Sequence, residues 1–354
     1  MATRVMIMAG GTGGHVFPAI AVADFLRAKG CSVSWLGAPN SFEAREVPKH
    51  GYPLEVIDVV RLRGQTSLSL LAAPYHLIKS INQAMQVLKA HNPNVVLGMG
   101  GFVSGPGGLA AALMGIPLVI HEQNTIPGLT NRWLSRIAKR VIQAFPNSLN
   151  VHDVVTCGNP IRESILNIER HEKPDSEKLK LLVIGGSLGA RALNEAVPEA
   201  LSCLLPMQQP HITHQVGLNN IDEVMARYTA FNMEAEVVEF IDDMASAYAE
   251  ADIVVCRAGA LTVSEVSAAG IPAIFIPFPH AVDDHQTKNA LYLVESGGAR
   301  IVRQSSLTAE NLATILKELV LNRDILRVMS AKAKAQSKPN ATACVAEQIL
   351  EVAA

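Results

Sequence analysis

Short runs of consecutive apolar residues alternate along this chain with longer stretches in which apolar positions recur at helical spacing. The runs fall at 4–9, 32–37, 54–58, 94–98, 117–121, 140–143 and 153–156. They resume at 179–184, 211–216, 236–239, 252–256, 272–276 and 300–302. The helical stretches include 18–29, 68–90, 128–137, 190–204, 221–229, 262–269 and 284–296. Runs rich in β-branched residues suit strands that are buried on both faces. Strand-helix alternation of this kind predicts an α/β protein with parallel sheets covered on both sides.

The pattern occurs twice. Val5 to Ala9 empties into Gly10-Gly11-Thr12-Gly13-Gly14-His15, and Leu181 to Ile184 empties into Gly185-Gly186-Ser187-Leu188-Gly189. Further on, Val95-Val96-Leu97 leads through glycines to Gly115-Ile116-Pro117. In the same order, Ile253-Val254-Val255 leads through Ala258-Gly259 to Gly270-Ile271-Pro272. Two doubly wound Rossmann-like domains follow, each with its mouth at the carboxyl ends of its strands and a ligand cleft between them. The 354 residues suffice for two cores. The expected boundary is Cys157-Gly158-Asn159-Pro160 with the charged stretch 169–180. This gives an N-terminal domain over 1–160 and a C-terminal domain over 161–339, with a last helix over 340–354 that packs back on the first domain.

Each glycine loop exposes backbone N–H groups at a helix N-terminus, where an anionic group can dock. The first loop is not a Walker A motif, because no Gly-Lys-Ser/Thr follows. It is not a dinucleotide fingerprint either. Val16 stands where the third glycine would fall, and the next strand ends at Trp35-Leu36-Gly37 without an acidic residue for a ribose. No Asp-x-Asp triplet occurs, which speaks against a metal-chelated sugar nucleotide; no metal and no cofactor are expected. The net charge of −2 speaks against a general nucleic-acid binder. Five scattered cysteines without a CxxC pair suit a reducing compartment. No secretory signal is visible, and no run reaches the ~18 apolar residues of a membrane span.

Several polar groups fall at predicted strand ends. His15 opens the first helix, whose positive end favours a neutral imidazole able to take a proton from a hydroxyl; a local hydrogen-bonding role is the alternative. Gly98 to Gly108 allows a bulky partner to approach, or serves close helix–sheet packing. His121-Glu122-Gln123-Asn124 follows a buried strand, where polar residues are hard to explain as core. Thr262 and Glu265 have the spacing of a capping box, so Glu265 either caps a helix or holds the two hydroxyls of a ribose. Asp283 to Asn289 is a polar cluster that also reads as a helix N-cap. Residues 68–90, with Leu68, Leu70, Leu71, Leu77, Ile78, Ile81, Lys79 and Lys89, form an amphipathic surface. It suits either an anionic bilayer or the core.

Together these segments resemble the MurG family of bacterial glycosyltransferases, which add N-acetylglucosamine to lipid I. The resemblance rests on seven motifs in the family's order, at 10–15, 98–108, 121–124, 158–162, 185–189, 240–244 and 260–265. It implies a two-domain GT-B fold and a metal-independent, inverting transfer from UDP-N-acetylglucosamine that forms lipid II. By the same resemblance, Ser187 and Arg162 contact the diphosphate, Ile241 meets the uracil through its backbone and Glu265 binds the ribose. Ala260, Leu261, Thr262, Val263 and Ser264 line the phosphates, and Gln286 and Asn124 read the sugar hydroxyls. Thr12, Gly13, Gly14 and His15 face the reacting centre.

The expected reaction is a single displacement in which the muramyl 4-hydroxyl attacks the anomeric carbon opposite UDP, giving a β-1,4 linkage. His15 is the first candidate base and Glu122 the second. The alternatives are a related UDP-N-acetylglucosamine epimerase and a nucleotide-sugar-binding regulator without turnover. Because the acceptor is lipid-borne, the N-terminal domain is expected to meet an anionic membrane surface through 68–90 with Lys139 and Arg140. This places the protein peripherally on the cytoplasmic face of the inner membrane, with a cell-wall synthesis complex as a further partner.

Overall fold

The structure is a computed structural model that describes residues 2–59, 73–170, 174, 177–186 and 188–354. Ser187 and the stretch 68–72 of the amphipathic segment lie outside the described residues. The chain divides into two compact units: Met1–Arg162 together with Lys338–Ala354, and Glu163–Ser337.

The first unit holds a parallel sheet of β1 (Arg4–Met8), β2 (Ser32–Gly37), β3 (Leu54–Val56), β4 (Val95–Gly98), β5 (Leu118–Glu122), β6 (Arg140–Gln143) and β7 (Val154–Thr156), in the order β3-β2-β1-β4-β5-β6-β7. Val5 pairs with Val33 on one side and Val95 on the other. Alternate side chains of β1 enter different cores, as strand geometry dictates. Val5 and Ile7 pack with the helix Gly13–Ala28 and the C-terminal helix Ala341–Ala353. Met6 and Met8 pack with the helices Ala73–His91 and Ser104–Leu113. The last helix therefore covers the first sheet. A disulfide between Cys157 and Cys344 joins it to the loop after β7, with Cα atoms 5.6 Å apart. The reading of scattered cysteines suited to a reducing compartment did not foresee this pair, because a separation of 187 residues leaves no local spacing to read.

The second unit holds β8 (Lys180–Ile184), β9 (His211–Gln215), β10 (Glu236–Val238), β11 (Ile253–Cys256), β12 (Ala273–Phe275) and β13 (Ala299–Ile301), all parallel, in the order β10-β9-β8-β11-β12-β13. Leu181 and Val183 face a core shared with the helices Arg191–Ser202 and Ala309–Leu321. Strand order reverses between β1 and β4 in the first unit and between β8 and β11 in the second. Ligands of open α/β sheets bind at such switch points, beyond the carboxyl ends of the strands.

Candidate active site

At the first switch point, the loop after β1 meets the loop after β4. Gly101 has φ +86°, and a Cβ there would lie 2.3 Å from the carbonyl oxygen of Gly10. Only glycine permits that approach. Gly107 answers the other reading of the glycine-dense segment, since a Cβ there would sit 2.3 Å from Met8 Sδ. Beneath the first loop lies Glu43, 1% exposed. Its carboxylate accepts from the backbone N–H of Gly11 at 3.0 Å and of Ala38 at 3.1 Å. Sequence reasoning missed this residue, because an acid two positions after the N-cap Ser41 reads as an ordinary helix start.

Thr12 caps the first helix by position, with no side-chain bond, and Thr12 and Gly14 are exposed. Gly13 and His15 are half-buried. His15 Nδ1 lies 3.1 Å from Gln123 Oε1, and Gln123 Nε2 donates to Met99 O at 2.8 Å. The Asn159 amide donates to Gln123 O at 3.1 Å, and His121 Nε2 lies 2.9 Å from Gly158 O. Burial pushes His121 down to about 4, against the raising effect of the Gly158 carbonyl, so its ring is neutral.

Glu122, the second candidate base, lies in a network of its own. It is buried and accepts from Asn124 N at 2.9 Å, Asn124 Nδ2 at 3.2 Å, Gly128 N at 3.1 Å and Asn131 Nδ2 at 2.9 Å. A carboxylate occupied by four donors organises its loop and has little capacity left for a substrate proton. Asn124 serves that same network. Arg162 belongs to the first unit, its guanidinium carbon 5.3 Å from the ring centre of Phe17.

The second switch point is built from backbone. Gly186 and Gly189 have φ +86° and +73°, and a Cβ on Gly189 would lie 2.0 Å from Val216 O. After β11, Gly259 is the N-cap of the helix Ala260–Ala269 and makes no side-chain cap bond. The helix start at Ala260, Leu261 and Thr262 has the geometry that suits a phosphate at a helix N-terminus. Because the helix begins at Ala260, Thr262 lies within its first turn and the capping-box reading of Thr262 and Glu265 fails. Glu265 is buried in the second turn, with Tyr248 Oη 3.3 Å from its carboxylate. Val263 is buried and Ser264 half-buried, its hydroxyl donating to Ala260 O at 3.0 Å. Ile241 is half-buried, just before the helix Met244–Glu250. Gln286 Oε1 accepts from Phe278 N at 2.9 Å, which leaves its NH2 group for a ligand. Among the described residues no group of three or more His, Cys, Asp and Glu is placed to hold a metal ion.

Two Rossmann-like units, each with a glycine loop at its switch point, have the architecture of a GT-B glycosyltransferase. Residues 5–143 match the glycosyltransferase family 28 N-terminal domain and residues 180–345 the family 28 C-terminal domain. The chain belongs to the MurG family within glycosyltransferase family 28. The UDP-N-acetylglucosamine–N-acetylmuramyl-(pentapeptide) pyrophosphoryl-undecaprenol N-acetylglucosamine transferase of Aeromonas hydrophila is 50% identical over 356 residues, covering 100% of this chain and 98% of that protein. The crystal structure of Acinetobacter baumannii MurG superposes with a TM-score of 0.84 at 44% identity, covering 99% of each chain. A UDP-GlcNAc 2-epimerase from Neisseria meningitidis shares the fold alone, with a TM-score of 0.68 at 12% identity over 99% of this chain and 100% of that one.

Proposed function

We infer that this chain transfers N-acetylglucosamine from UDP-N-acetylglucosamine to the muramyl 4-hydroxyl of lipid I, forming lipid II. The observation that carries this reading is half identity, over the whole chain, to a transferase named for that reaction. The epimerase alternative has only a shared fold behind it. In the proposed step the acceptor oxygen bonds to the anomeric carbon as the bond to the UDP oxygen breaks, with inversion to a β-linkage. The hydroxyl proton passes to His15 Nε2. Negative charge gathers on the leaving diphosphate, where the N–H groups at Ala260 to Thr262 and the guanidinium of Arg162 stabilise it. Ser187 is assigned to the same diphosphate. Glu265 takes the ribose, the Ile241 backbone the uracil, and Gln286 the sugar hydroxyls. Asn124, tied to Glu122, shapes the acceptor loop as well as reading the sugar. Thr12, Gly13 and Gly14 line the approach of the acceptor.

The first unit also carries the proposed contact with an anionic membrane. The helix Ala73–His91 buries Ser80, Ala84 and Leu88, while Tyr75, Leu77 and Ile78 on its first turns are exposed. Trp133, on the helix Leu129–Leu134, is 66% exposed, with the guanidinium carbon of Arg136 4.6 Å from its ring centre; Ile137 and Lys139 are exposed beside it in sequence. Apolar side chains interleaved with cations suit the headgroup boundary. Arg140 does not join them, because it pairs with Glu351 at 3.5 Å. Among the described residues no helix is long and apolar enough to cross a membrane. Peripheral residence on the cytoplasmic face of the inner membrane, within a wall-synthesis complex, completes the proposal.

Labelled UDP-N-acetylglucosamine incubated with and without a lipid I analogue tests the reaction. UDP release that requires the analogue, with a β-1,4 disaccharide product, is expected. A new sugar epimer formed from donor alone would identify an epimerase, and donor binding without either product a regulator.

A further inference from the structure

We propose that Gln123 sets the tautomer of His15, holding the hydrogen on Nδ1 so that Nε2 keeps its lone pair for the acceptor hydroxyl. The proposal rests on His15 as the base and adds a positioning residue to it. Gln123 follows β5 directly and is 1% exposed. Its amide has two different ends to place, and the surroundings decide which goes where. Nε2 lies 2.8 Å from Met99 O, and a main-chain carbonyl can only accept. The NH2 end therefore faces Met99, and Oε1 faces His15 Nδ1 at 3.1 Å. Turning the amide over would oppose two oxygens on one side and, against an Nδ1–H, two donors on the other. An amide oxygen has no hydrogen to give, so Nδ1 must supply it.

The ring is held as well as oriented. Gly100 has φ +94°, and a Cβ there would lie 3.0 Å from His15 Cε1 and 3.1 Å from Nδ1, so the ring sits directly against this backbone. Gln123 is itself fixed from behind, its main-chain carbonyl accepting from Asn159 Nδ2 at 3.1 Å. Among the described residues no hydrogen bond reaches His15 Nε2. The arrangement also fits both ends of a proton transfer. When Nε2 takes the proton, the Nδ1–H bond to Oε1 persists, and nothing around the ring must rearrange. A neutral amide does this without adding a charge. The carboxylate next in sequence, Glu122, is directed into its own four-donor network.

The test uses the full-length chain labelled with ¹⁵N-histidine. The His15 ring nitrogens are assigned by their loss in His15→Gln. The spectrum is recorded at rising alkaline pH until the ring nitrogen shifts stop changing. The expected spectrum has a protonated Nδ1 and a bare Nε2. A protonated Nε2 with a bare Nδ1 overturns the proposal, and this reading needs no Gln123 variant to fold. Gln123→Met keeps the length of the side chain and removes the acceptor. It is expected to mix the tautomers and to lower kcat roughly 10- to 100-fold, with the KM for UDP-N-acetylglucosamine unchanged. In the His15→Ala background the same substitution is expected to cost nothing further, because Gln123 acts through the ring. An undiminished loss in that background overturns the positioning role. Full turnover by His15→Ala would remove His15 as the base, while the spectrum of the unsubstituted protein still decides whether Gln123 locks its tautomer.

Discussion

The two glycine loops share a strand, a tight turn and a helix start, yet they present different groups. The loop after β1 ends in His15, whose imidazole is tied to Gln123, and it rests on the buried carboxylate of Glu43. The described part of the loop after β8 carries no ionisable side chain, and Gly189 lies against Val216 O. On the proposed function, one loop positions a side chain for proton transfer, while the other brings main chain close to main chain. A diphosphate needs many weak donors and no proton acceptor; a nucleophilic hydroxyl needs the reverse. The same local fold serves both because glycine removes the Cβ in each, and the residue after the turn decides the chemistry.

The largest effect should come from the side-chain loop. His15→Ala is expected to lower kcat about 10²- to 10⁴-fold with the KM for the donor unchanged. A raised donor KM at full kcat would erase the distinction between the loops. Next comes the backbone loop. Gly189→Ala forces a side chain into a positive φ and against Val216 O, and should destabilise the protein by about 2–4 kcal/mol in urea unfolding. Gly14→Ala provides the contrast. A Cβ there meets only Thr12 Oγ1, at 3.6 Å, so stability should hold while acceptor KM rises. Glu265→Gln should then raise donor KM roughly tenfold, since a buried amide replaces the carboxylate proposed to take the two ribose hydroxyls. The smallest effect concerns the membrane. Leu77→Glu with Ile78→Glu should weaken binding to anionic vesicles roughly tenfold, whereas Leu321→Glu, equally exposed on the second unit, should leave it intact. Equal losses in both would mean that the first unit has no special surface.

Most of the architecture was legible because parallel strands buried on both faces leave dense apolar runs, and each sheet needs a turn signal after every strand. The helix predicted over 128–137 stops at Leu134, where the chain turns toward β6. Candidate site residues could be proposed by position, since a polar residue after a buried strand falls at the mouth of the sheet. Their partners could not. Nothing in the sequence marks Glu122 or Glu43 as a hub, and only the fold shows Glu43 bonded to two backbone N–H groups and Glu122 to backbone and asparagine amides. Likewise, the capping-box spacing of Thr262 and Glu265 depends on where the helix begins, and Gly259 moves that start forward. Arg162 sat two residues beyond the expected boundary, yet its stacking on Phe17 places it in the first unit. Long-range pairing decides all of these, and local pattern carries no record of it.

The return of the chain at Lys338 makes the second unit an insertion into the first. Ala341–Ala353 shields one side of the opening strands, and Cys344 is bolted to Cys157. A protein trimmed at its tail would thus be injured at its head: the unit that carries His15 loses its roof, although every residue near that histidine is still in the chain.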